Sequence, residues 1–129
     1  MTTYLHSRPR ARKAHVCDVC SRTIEPGETY TRGVGLDGGA GAWTYRYCAH
    51  CAVLITYLSV WFNEDEYVAR ELVENWEPRT GAGRAVKAAA ENRWRTGDGA
   101  LTPVPVILTE DTETTWRPTG IVLPEHVAA

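Results

Sequence analysis

At 129 residues the chain has room for one domain, and 43% hydrophobic with 23% charged residues suits a packed core rather than disorder. Its longest apolar run, Ala52 to Phe62, falls well short of the ~20 residues a bilayer-spanning helix needs, which excludes a membrane partner and makes the cytoplasm the expected location. The net charge of −2 conceals an asymmetry: residues 1–51 carry seven basic and four acidic side chains, and residues 52–129 carry seven and twelve.

Residues 1–14 read as a flexible basic arm. Pro9 and the density of charge oppose a helix. Arg8, Arg10, Arg12 and Lys13, with no acid among them, could neutralise phosphates, each contact adding to a salt-dependent affinity. The competing reading is a solvated terminus that only aids solubility.

All four cysteines follow, as Cys17-x-x-Cys20 and Cys48-x-x-Cys51. Two thiolates separated by two residues can line the concave side of one turn and reach one ion about 2.3 Å away. Two such pairs make a closed tetrahedral set with no position left for water, so the spacing points to structural rather than catalytic zinc. Two alternatives compete. Paired disulfides would need an oxidising compartment. A thiol redox switch would need a reactive thiol, and nothing in the sequence marks one. His15 and His50 flank the cysteines but are not needed as ligands, so they read as outlying imidazoles.

Between the pairs, Pro26-Gly27 marks a turn, and Glu28 to Arg32 and Ala42 to Tyr47 are β-branched or aromatic enough for strands. A glycine-rich loop, Gly33 to Gly41, is expected to join them. Trp43, Tyr45 and Tyr47 alternate onto one face, which suits either packing on the next helix or stacking on unpaired bases. Arg32 and Arg46, on facing strands, and Arg22, beside the first cysteine pair, complete the candidate nucleic-acid contacts. The apolar run from Ala49 to Phe62 predicts a helix whose first turn carries the second cysteine pair, Cys48 and Cys51.

This order of knuckle, hairpin and helix resembles the treble-clef zinc finger. In detail it is similar to small four-cysteine treble-clef proteins of actinobacteria and their bacteriophages. The residues that carry the likeness are Cys17/Cys20, Ile24/Gly27/Glu28/Tyr30, Trp43/Tyr45/Tyr47 and Cys48/Cys51. It covers residues 15–62 and implies structural Zn2+ and a fold, but no activity. Ser21 departs from the glycine usual after the second cysteine and predicts a strained turn.

A helix apolar almost all round needs cover from later segments, so residues 15–129 are read as one domain: treble clef 15–62, helical extension 63–96, C-terminal strands 101–124. Asn63 and Glu66 make a plausible cap and capping box for a second helix, with Val68, Leu72, Val73 and Trp76 as its apolar stripe and Pro78 as its stop. A third helix is expected over Arg84 to Arg95, with Val86, Ala90 and Trp94 on one side. Leu101 to Leu108 and Thr119 to Pro124 read as proline-bounded strands, with Glu110, Asp111 and Glu113 in the turn between them.

No nucleophile, base and orienter occur together, and the His-x-Glu that deaminases pair with Cys-x-x-Cys is missing. The expected protein is therefore an α+β zinc module that is not an enzyme and has no small-molecule substrate. It is expected to bind a macromolecule. Nucleic acid is favoured by the basic half, and a regulatory protein partner, such as a host factor of a phage-type protein, is the alternative.

Overall fold

The computed structural model describes residues 2–37, 41–61, 69–112 and 115–124. In order they form β1 (Thr2–Ser7), β2 (His15–Val16), β3 (Thr23–Ile24), β4 (Tyr30–Asp37), β5 (Gly41–Cys48), α1 (Ala49–Trp61), α2 (Ala69–Asn75), α3 (Gly81–Glu91), β6 (Val106–Thr112) and β7 (Thr115–Val122). Three antiparallel units result: a sheet of order β1-β4-β5, the short pair β2-β3, and the hairpin β6-β7.

The N-terminus corrects the free arm expected over residues 1–14. Thr2 to Ser7 pair with Asp37 to Arg32, so β1 covers the outer edge of β4. The chain then stays pinned to the residues ahead of β4. The Ala11 amide donates to the Glu28 carbonyl (2.8 Å), the Tyr30 amide donates to the Pro9 carbonyl (3.1 Å), and Ala11 is buried. The charge density in Arg8 to Lys13 masked a β-prone Thr-Thr-Tyr-Leu start that had an open strand edge to join.

The glycine-rich stretch is also more ordered than a loop. β4 runs through Gly33 and Gly35 to Asp37, and β5 begins at Gly41; residues 38–40 lie outside the described residues. With β1 on one side and β5 on the other, the backbone groups of β4 find partners on both edges, which outweighs the low strand preference of glycine. Gly33 has a further role. A Cβ there would overlap the Tyr45 ring, which lies across the glycine from the neighbouring strand. Tyr45 in turn packs against Tyr47, with centroids 4.9 Å apart. The expected aromatic face is thus seen at Tyr45 and Tyr47, both half-buried, while the Trp43 side chain lies outside the described residues.

Helix α1 is where the apolar run placed it. Cys51, Leu54, Ile55 and Leu58 are buried, and Thr56 is exposed. The capping pair Asn63/Glu66, Val68 and Glu113 lie outside the described residues. α2 presents Leu72, Val73 and, just beyond its end, Trp76 to the core, as the stripe predicts. Its C-terminal carbonyls are satisfied from the next helix: Lys87 Nζ donates to the carbonyls of Glu74 (3.2 Å) and Trp76 (2.5 Å).

α3 begins three residues earlier than expected because Thr80 caps it, its hydroxyl accepting the Gly83 amide at 3.0 Å. It also stops earlier, at Glu91. The amide of Trp94 donates to the Ala89 carbonyl (2.7 Å) and that of Arg93 to the Ala90 carbonyl (3.0 Å), a Schellman stop with Arg93 where glycine is usual. The first C-terminal strand begins later than Leu101, since Pro103 and Pro105 have no amide to give a ladder, and the second begins earlier than Thr119, at Thr115. Glu110 and Asp111 consequently lie in β6 rather than in a turn. One buried cluster joins Ala11, Ile24, Leu54, Leu58, Leu72, Val86, Trp94 and Ile121, so the later segments do cover α1.

Candidate metal centre

Three elements bring the thiols together. The β2-β3 pair forms the first turn, in which the Cys17 amide donates to the Arg22 carbonyl (2.8 Å) and the Ser21 amide to the Cys17 carbonyl (3.0 Å). Ser21 closes this turn at φ 65°, the strained conformation its departure from glycine predicts. The second pair is split, where both thiols were expected in the helix: Cys48 is the last residue of β5, paired with Tyr30, and Cys51 sits in the first turn of α1. Asp18 ties the turn to the hairpin: its amide donates to the Arg46 carbonyl (2.8 Å), and its carboxylate accepts the Arg46 amide (2.7 Å).

The four Sγ atoms lie within 4.8 Å of one another, and Cys20 and Cys48 Sγ are 3.9 Å apart. A tetrahedron with Zn–S bonds of about 2.3 Å has edges of about 3.8 Å, so the set fits one zinc ion. All four cysteines are free of disulfides; Cys17, Cys48 and Cys51 are buried and Cys20 is half-buried. The chain therefore has a four-cysteine site suited to zinc. Amides support the sulfurs, that of Cys48 donating to Cys17 Sγ (3.4 Å) and that of Cys51 to Cys48 Sγ (3.5 Å).

The electrostatics match a cation site. Hydrogen bonds from Cys20, Cys48 and Cys51 hold the Cys17 thiol far below its ordinary range. Their crowding with Cys17 pushes Cys48 and Cys51 up. Four thiolates this close repel one another, and a dication supplies the missing compensation.

Arg22 supplies part of it from the protein. Burial alone would lower its pKa, but Glu28 and the Cys48 thiol outweigh that and raise it. Only 2% exposed, it gives both terminal nitrogens to Glu28, at 3.1 and 3.0 Å. This corrects its place among the nucleic-acid contacts: an arginine buried to this degree and held by Glu28 is out of reach of a phosphate in solution. Its position two residues after the first cysteine pair was the available signal. Arg70 was also missed. It clamps α2 to the first turn through Ser21 Oγ (2.9 Å) and the carbonyls of Val19 (3.3 Å) and Asp18 (3.4 Å).

His50 is buried and is not among the metal-ligating group. Its Nε2–H donates to the Thr102 carbonyl at 2.6 Å, and its ring lies 5.2 Å from that of Trp94. Trp94 itself, fully buried, donates its indole N–H to Cys51 Sγ at 3.2 Å. His15 packs near Tyr30, 5.2 Å between centroids, away from the sulfurs.

The remaining basic residues lie on the sheet and beside it. Ser7, Arg32 and Arg46 sit directly opposite one another across β1, β4 and β5, so their side chains share a face. Arg32 is exposed and Arg46 half-buried, with its Nε unpartnered. Arg8, Arg12 and Lys13 are exposed; Arg10 spends its Nε on the Gly27 carbonyl (2.9 Å). Among the described residues the ion pair is Arg22–Glu28, and none of these surface cations has a carboxylate partner.

No family model, curated protein or solved structure matches the chain.

Proposed function

We propose that this chain is a non-catalytic zinc module of treble-clef type that binds nucleic acid through the basic face beside its hairpin. The succession of the β2-β3 turn, the β4-β5 hairpin and α1, with thiols from the first turn and from the hairpin–helix junction, supports the treble-clef reading. The observation that carries the nucleic-acid reading is the Ser7–Arg32–Arg46 row. Like charges directly opposite on paired strands are destabilising, and among the described residues no acid offsets Arg32 and Arg46. A row of backbone phosphates would.

The test is binding of a random-sequence oligonucleotide followed by anisotropy between about 50 and 200 mM salt. Each phosphate contact contributes about 0.7–0.9 to the slope of log affinity against log salt. Replacing Arg8, Arg12, Lys13 and Arg32 together by glutamine should flatten the slope by about three. These four side chains are exposed, so the fold should survive. An unchanged slope, or no binding by the parent chain, overturns the reading. It would favour the protein-partner alternative, for which one feature speaks: Val104, Val106 and Leu108 are 38%, 46% and 45% exposed and alternate along one side of the chain entering and forming β6.

A further inference from the structure

We propose that Trp94 is a positioning residue of the metal centre: its indole N–H fixes the Cys51 sulfur, and the turn from Asn92 to Thr102 thereby governs how firmly zinc is retained. The proposal rests on the zinc reading of the four thiols and is independent of what the module binds.

Three observations converge on it. First, the contact is a directed one. The indole nitrogen lies 3.2 Å from Cys51 Sγ, well inside sulfur hydrogen-bond range, and Trp94 is fully buried. A buried indole N–H needs an acceptor, and here the acceptor is a metal-ligand sulfur. Second, the backbone is strained to achieve it. Arg93 and Trp94 both sit at φ 58°, two consecutive non-glycine residues in the left-handed region. Such residues persist only where the surroundings over-determine them, and they concentrate where placement of a side chain matters. Third, the turn is braced on the far side. Thr102 donates its amide (2.8 Å) and its hydroxyl (3.2 Å) to the Trp94 carbonyl, while its own carbonyl accepts the His50 Nε2–H (2.6 Å). His50 lies between Cys48 and Cys51 in the chain, so one threonine links the tryptophan to the helix turn that bears the ligand.

The donor comes from beyond α3, more than 40 residues after the sulfur it serves, and not from the turns that carry the cysteines. A hydrogen bond to a ligating sulfur draws electron density from it and fixes its direction. Groups of this kind commonly alter metal affinity by about 10–100-fold when removed.

The test uses the full-length zinc protein and its cobalt and cadmium forms. Trp94→Phe keeps most of the ring and removes the donor. It should release zinc to an excess of chelator about tenfold faster or more. The thiolate-to-cobalt charge-transfer band of its cobalt form should move to lower energy, because the Cys51 sulfur becomes a better electron donor. Leu58→Ala serves as the control for general loosening of the core: it should lower the melting temperature without moving that band. In the unmutated cadmium-113 protein, the Trp94 indole proton should show scalar coupling to the metal through the sulfur, a measurement that does not depend on any variant folding. Unchanged release and band position in Trp94→Phe, or absence of that coupling, would overturn the proposal. If the parent chain binds no zinc or cobalt at all, it is the zinc reading that fails.

Discussion

Cys17→Ser or Cys48→Ser should leave the chain without zinc and without a cooperative fold. The first turn, the hairpin end and the start of α1 all converge on the four sulfurs, so the ion ties together elements that the small core beside it holds less firmly. Structural zinc binding is worth about 10–16 kcal/mol at neutral pH. A typical domain has about 5–15 kcal/mol of stability in total. Losing the ion therefore removes as much free energy as the fold is expected to hold. Native mass spectrometry for zinc content and a thermal melt by circular dichroism check it together. A serine variant that melts cooperatively without metal would count against a structural role for the site. Acid should act in the same direction. Protons compete with zinc for the thiolates, so lowering the pH should release the metal and the fold together.

Glu28→Gln should cost about 3 kcal/mol at pH 7, because it leaves Arg22 buried with a neutral partner. Removing one member of a buried pair costs far more than replacing both with apolar groups, so Arg22→Met combined with Glu28→Leu should be less damaging than the two single changes added together. The pH dependence has a definite sign. Burial works against the Glu28 carboxylate, but hydrogen bonds from Arg22 and from the Glu25 amide (2.6 Å) outweigh it and hold its pKa below the usual range. Its contribution is thus complete above pH ~4.3 and fades as pH falls through the lower folded value. Urea melts of both proteins in saturating zinc should show the advantage of the parent chain shrinking over that window. The loss of zinc is common to both and cancels. A constant difference would place the effect elsewhere than in the Arg22–Glu28 pair.

How much of this was legible in the sequence differs from element to element. Local spacing was sufficient for the cysteines, since a Cys-x-x-Cys turn places both sulfurs whatever surrounds it. Apolar periodicity was sufficient for α1 and for the Leu72, Val73 and Trp76 stripe. The strain at Ser21 was legible because a left-handed residue was required there and glycine was missing. Where the expectation failed, a partner brought up by a turn or a sheet pairing decided the outcome. Arg8 to Lys13 suggested a free arm, but β4 had an edge for β1 to occupy. Arg22 looked like a surface cation until Glu28, six residues on, was brought against it by the turn at Pro26-Gly27.

Trp94 is the sharpest case. Helical spacing put it on a face with Val86 and Ala90, and its burial agrees with that. Its role depends instead on the helix stopping at Glu91, on two left-handed residues, and on Thr102 and Cys51 being on hand. The sequence by itself determined the metal ligands and the apolar helices, because each follows from residues within a few positions of one another. Only the tertiary structure decided which arginines stay on the surface, which strand edge the N-terminus covers and which side chain faces the sulfurs. Those outcomes depend on pairings made by turns or across tens of residues, whose energies exist only once the chain has closed on itself.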